Sequence, residues 1–217
     1  MPTTKPPQPE EILKKYTPTL KLLVAALLEG AKHARAYADW MDESVDRTLS
    51  PAHVRKGAKR FLAKQEKDSV SVNDEEVEFE AEYLPNLGLS VSVDRIKFRI
   101  LKSDNGSLPV PGPSKKRQQF YAQQGSLFPV DKAGASKDLP RANLVLHWVP
   151  NDEYNLTRVS LAYPIAGKLT RVSVKSEWDE VIWRSGAKLA TGTQAEASAD
   201  ELDIHLDKPE EETGTGG

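Results

Sequence analysis

The stretch "EVEFEAEYLPNLGLSVSVDRIKFRI" runs from Glu76 to Ile100, and its period decides the fold class. In its first part Val77, Phe79, Ala81 and Tyr83 alternate with Glu76, Glu78, Glu80 and Glu82. Side chains on a strand point to opposite faces in turn, so this alternation predicts a half-buried strand with one acidic face. "LPNLG" supplies a turn, after which Leu89, Val91 and Val93 carry the apolar phase. The phase slips at Asp94-Arg95, because Ile96, Phe98 and Ile100 are now the apolar set; a bulge or a short turn accounts for the slip. Arg95, Lys97 and Arg99 share the opposite, basic face. Were this segment to pair with the Glu-rich strand, the two charge rows would lie across from each other.

Upstream, the period changes to that of helices. Pro9 suits a first helical residue, with Glu10 and Glu11 where the helix dipole favours acids. Thr17-Pro18 repeats the start signal and predicts a second, longer helix. Its stripe is Leu20, Leu23, Val24, Leu27, Leu28, Ala31 and Ala34, extended by Ala38, Met41 and Val45. Gly30 interrupts it at a propensity cost of about 1 kcal/mol relative to Ala. Ser50-Pro51 marks a third start, for a helix to about Gln65 with Val54, Ala58, Phe61 and Leu62 on its apolar side.

Downstream, residues 103–141 hold five prolines and four glycines, and only Ser114 to Gln124 has helical character, with Ser114 as its cap. Loops of that length in a compact domain are usually functional or disordered. "NLVLHWV", "TRVSLAYP" and "LTRVSVK" then read as an antiparallel meander, and Trp178, Ile182 and Trp183 close the folded part. The expected architecture is α+β. A disordered N-terminus (1–8) and amphipathic helices (9–68) precede an antiparallel domain of about five strands (69–185) with its long loop at 103–141. A disordered acidic tail (186–217) ends the chain.

Composition removes several chemistries. The chain has no cysteine, which excludes disulfides, thiolate nucleophiles and Cys-ligated metals. The longest apolar run, Leu22 to Leu28, falls far short of the roughly 20 residues of a spanning helix. The first residues carry no hydrophobic signal segment, and the expected setting is cytoplasmic with no membrane partner. His33, His53, His147 and His205 are scattered, none with a second ligand at metal-site spacing. No phosphate loop, nucleophile elbow or metalloprotease helix occurs, so no catalytic residue, metal ligand or cofactor is assigned. An enzyme with a spatially assembled site stays open as an alternative; His147 beside Trp148 reads as packing.

The expected function is therefore non-enzymatic binding of a macromolecule. Gln124, Ser126, Leu127 and Phe128, in "QGSLF", form one candidate site. A flexible loop can present two adjacent apolar side chains to a pocket while Gln hydrogen-bonds at its rim. The stretch resembles the short peptide by which many bacterial proteins dock onto the replication sliding clamp, which implies a protein partner of that type. Gly125 departs from the motif, where Leu is commoner. The alternative partner is nucleic acid. Arg55, Lys56, Lys59, Arg60 and Lys64 share one helix face, and Lys115, Lys116 and Arg117 stand beside Phe120 and Tyr121. Basic groups interleaved with aromatics suit single-stranded nucleic acid. Residues 196–217 carry eight acids against one lysine, a solvating block that also suits masking of such a face.

Overall fold

The structure, a computed structural model, describes residues 6–42, 46, 48–68, 71–72, 75–76, 78–84, 88–123, 142–165 and 174–186. Two helices, α1 (Pro9–Met41) and α2 (Ser50–Asp68), precede a short hairpin, β1 (Ser71–Val72) and β2 (Glu75–Glu76). The main sheet follows: β3 (Glu80–Leu84), β4 (Gly88–Val93), β5 (Ile96–Lys102), then α3 (Lys115–Tyr121), and β6 (Ala142–Pro150), β7 (Leu156–Pro164) and β8 (Ser176–Arg184). The six strands lie in chain order, β3-β4-β5-β6-β7-β8. All neighbours are antiparallel except β5 and β6, which are parallel. Two antiparallel meanders are thus joined at a parallel seam.

The α+β class holds, with six strands in the main sheet rather than about five. The added strand is β8: two register shifts against β7 break the alternation around Trp178, Ile182 and Trp183 and hide it from a period-2 reading. In "LTRVSVK", residues 169–173 lie outside the described residues, and Val174 and Lys175 only lead into β8. The Glu-rich stretch is not one strand either. Its β3 begins at Glu80 because β4 offers partners only as far as Ser92, opposite Glu80, before the chain turns at Asp94. The phase slip at Asp94-Arg95 is that two-residue turn, with Asp94 in the left-handed region at φ 49°.

The helix start expected at Thr17-Pro18 is there as a kink: α1 is two helical segments that meet at Tyr16, which departs from helical geometry (φ −106°, ψ 17°), and the longer one begins at Thr17-Pro18. Pro18 lacks the amide hydrogen a straight helix would use, and the Thr17 hydroxyl donates back to the Leu13 carbonyl. The kink is pinned to the β4–β5 turn, where Lys15 Nζ stands 3.4 Å from Asp94. At α2, Asp46 rather than Ser50 gathers the turn, its carboxylate accepting from the amides of Thr48 and Leu49.

One face of the sheet is apolar and covered by α1 and α2. Leu89, Val91, Phe98, Ile100, Leu144, Leu146, Trp148 and Leu161 meet Leu20, Leu23, Leu27, Val54, Ala58 and Leu62 in one core. The other face carries a smaller cluster of Leu101, Val145 and Ala162 under Leu108 and Tyr121. The indole of Trp178 on β8 donates to the Pro7 carbonyl at 2.9 Å, tying the start of α1 to the last strand. Beyond the sheet the C-terminal end of α1 leaves Tyr37, Trp40 and Met41 exposed, with Tyr37 edge-on to His53 of α2 at 4.3 Å.

Gly30 is more than a weak point of helix propensity. A Cβ added there would stand 2.2 Å from the Val54 carbonyl oxygen, and one added at Gly57 would stand 2.8 Å from the Gly30 Cα. The two glycines let the helix backbones touch. Ala at Gly30 gains about 1 kcal/mol of propensity but overpacks against backbone, at roughly 1–3 kcal/mol. Gly30→Ala is therefore expected to lower the thermal unfolding midpoint; a rise would show that the helices part freely.

Candidate functional site

Helix α2 presents its cations outward because Val54, Ala58 and Leu62 occupy the core side. Lys56, Arg60 and Lys64 are exposed, and among the described residues none of the three has an ion-pair partner. No acid occurs between residues 51 and 65; the helix's two acids, Glu66 and Asp68, stand at its C-terminal end. Lys59 differs: its ammonium lies over the Tyr83 ring of β3, 4.1 Å from the centroid. Tyr83 is itself an exposed aromatic. Arg55 is half-buried, and burial holds its guanidinium below the ordinary arginine value, with the charge of Arg117 adding to the effect.

The second basic segment picked out in the sequence lies on the crossover from β5 to β6. The chain leaving β5 makes a tight arch, in which the Ser103 hydroxyl donates to the Ser107 carbonyl and accepts from the Gly106 amide. Arg158 of β7 donates to the Gly106 carbonyl. The segment then crosses the sheet's second face and forms α3. Ser114 is its cap, as expected, its hydroxyl accepting from the Arg117 amide. Tyr121 anchors the helix: it is fully buried and its hydroxyl donates to the Pro109 carbonyl. This corrects its place among the surface aromatics, since a sealed ring has no face for a base. Phe120 is half-buried, and Lys115 and Lys116 are exposed.

Arg117 instead points to a residue the sequence reading assigned only to a strand's charge row. Arg99 of β5 lies 5.7 Å from the Phe120 ring centroid. Burial, then the nearby charge of Arg117, pushes the Arg99 guanidinium down to about 10. The Glu-rich strand does not pair directly with β5, since β4 intervenes. Glu82, Ser90 and Arg99 are successive partners across three strands, as are Glu80, Ser92 and Lys97. Small serines let Lys97 reach over β4 to Glu82 at 3.2 Å. Among the described residues Arg99 makes no such pair. No feature of the sequence announces Arg99 and Arg117 as neighbours; only the path of the crossover brings them together.

No protein-family model matches the chain, and neither a curated protein nor a solved structure matches it significantly.

Gln124, Ser126, Leu127 and Phe128 lie outside the described residues, as does His205. The preceding Gln123 is firmly held: its side chain donates to the Asn143 and Pro164 carbonyls and accepts from the Asn143 amide. His33 is exposed and His53 packs on Tyr37. His147 is sealed, its Nε2 2.9 Å from Asp179 Oδ1 on β8 while Nδ1 has no partner. A ring with no exposed atom offers a substrate nothing, so this dyad bridges β6 to β8 across β7. Among the described residues no three potential metal ligands gather, and no helix is long and apolar enough to cross a membrane.

Removing Asp179 strands the buried imidazole. Asp179→Ala is expected to cost about 1–3 kcal/mol, the penalty of an orphaned buried polar group. Urea unfolding measures it; an unchanged midpoint would show that the dyad has no structural role.

Proposed function

We propose that this protein binds a macromolecule, and that the partner its geometry favours is single-stranded nucleic acid. The observation that carries this is the α2 row: Lys56, Arg60 and Lys64 exposed and, among the described residues, unpaired, on a helix whose Lys59 lies over the exposed Tyr83 ring. Lys and Arg neutralise successive phosphates, and an aromatic ring stacks on any base. Lys115 and Lys116 of α3, also exposed and unpaired among the described residues, extend the charge. The net charge of −2 does not oppose this reading. With residues 196–217 set aside, the rest of the chain holds 29 cations to 24 acids. A cytoplasmic setting belongs to the same reading and suits a chain without cysteine.

A second reading keeps the protein-docking peptide at Gln124 to Phe128. The firm tether of Gln123 favours it, because a linear motif that starts beside a rigid anchor loses less entropy on docking. Its partner class is a ring-type sliding clamp with an apolar pocket for Leu127 and Phe128.

Binding of a fluorescent oligonucleotide over a salt series separates the two. Affinity for the single strand is expected to fall with salt at a log–log slope of roughly −0.7 per phosphate neutralised. The triple variant Lys56→Gln, Arg60→Gln, Lys64→Gln should flatten that slope by roughly 2, and Tyr83→Ala should cost about 1–3 kcal/mol. Leu127→Ala with Phe128→Ala should leave both unchanged. No binding at low salt would remove the nucleic-acid reading.

A further inference from the structure

Arg99, Arg117 and Ser90 share a feature that the α2 row lacks: each holds a buried donor with no acceptor. The Nε of Arg99, the Nε of Arg117 and the Oγ of Ser90 are all inaccessible to solvent and, among the described residues, unpartnered. Ser90 is 1% exposed and stands directly across from Arg99 in the β4–β5 register. Unpaired buried donors are rare because each forfeits its hydration without replacement. Ser90 and Arg99 are cross-strand partners, and Phe120, whose ring Arg99 approaches, follows Arg117 by three residues on α3, so these three of the seven such atoms belong to one patch beneath that helix.

Charge sharpens the case. An arginine does not shed its proton at neutral pH, so two half-buried guanidiniums, one on α3 and one against its Phe120 ring, repel at all physiological pH values. The nearest carboxylates in register are committed elsewhere: Glu82 to Lys97 and Asp179 to His147. Nor are the arginines loose. Arg99 sits on an interior strand with the Phe120 ring beside it. Arg117 rides on a helix held by Tyr121 and by the bond from the Gln118 side chain to the Gly112 carbonyl at 2.9 Å.

We infer that Arg99, Arg117 and Ser90 form a binding site for a phosphate dianion beneath α3. Two guanidinium forks supply paired N–H donors and two positive charges, and the serine hydroxyl supplies a neutral third donor. That set matches a tetrahedral group of charge −2, as in inorganic phosphate or the end of a phosphomonoester, better than it matches a singly charged diester or carboxylate. The site lies on the sheet face opposite α1 and α2, and it stands whether or not the α2 row binds nucleic acid.

Thermal unfolding of the full chain in inorganic phosphate, against potassium chloride of equal ionic strength, tests the inference. Phosphate should raise the midpoint in a saturable way that chloride does not reproduce, because a ligand of the folded state stabilises it. Arg117→Gln should raise the midpoint without phosphate, by relieving the repulsion, and weaken phosphate binding by about tenfold or more, the usual worth of a charge-assisted hydrogen bond. Ser90→Ala should give a smaller loss in the same direction. A nucleoside 5′-monophosphate in place of phosphate tells a phosphomonoester ligand from the free ion: a larger shift assigns the site to the ester, an equal or smaller one to the ion. A phosphate response equal to that of chloride, or one that survives Arg117→Gln, overturns the site.

Discussion

Two neighbouring strands that run the same way cannot be joined by a tight turn. The chain leaving Lys102 must therefore travel back along the sheet before Ala142 can begin β6 beside β5. That requirement explains much of the molecule. It creates the long prolyl and glycyl insert, commits its first part to one face of the sheet, and sets Leu108 and Tyr121 over Leu101, Val145 and Ala162. With that face crossed by the return path, the long helices take the other. The sheet consequently divides its work: one side is an apolar floor for α1 and α2, and the other mixes a small apolar cluster with polar groups.

The local elements were legible and the seam was not. The alternation of Leu89, Val91 and Val93, then Ile96, Phe98 and Ile100, announces β4, β5 and the turn between them, because a half-buried strand writes its pleat into the sequence. The stripe from Leu20 to Ala38 likewise announces α1. Strand direction leaves no such trace, since a parallel and an antiparallel neighbour ask the same alternation of Phe98. Thr17-Pro18 announces the longer segment of α1, although the same residues would mark a fresh helix or one that continues across a kink at Tyr16.

The site residues show the same limit. The α2 cations could be named because they share one helix face within a few residues. Arg99 and Arg117 are separated by the arch at Ser103 and by the turn into α3, and their proximity depends on how far the crossover travels before it turns. Tyr121 illustrates the opposite error. Its basic and aromatic neighbours suggest a surface, yet it is the ring that fastens the crossover down, because a short helix on a sheet needs one large apolar side chain to hold it. Gly30 looks in the sequence like a defect in a helix and is the point at which two helices meet.

The four tryptophans occupy unlike surroundings. Trp148 is wholly enclosed with Tyr154 edge-on at 6.1 Å, Trp178 and Trp183 are partly covered on β8, and Trp40 is 76% exposed at the far end of α1. Their emission is accordingly resolvable by collisional quenching: acrylamide reaches Trp40 first and Trp148 last. The indole at the tip of the helical pair is thus a native optical probe, reporting on whatever approaches that end while the enclosed one registers the integrity of the fold.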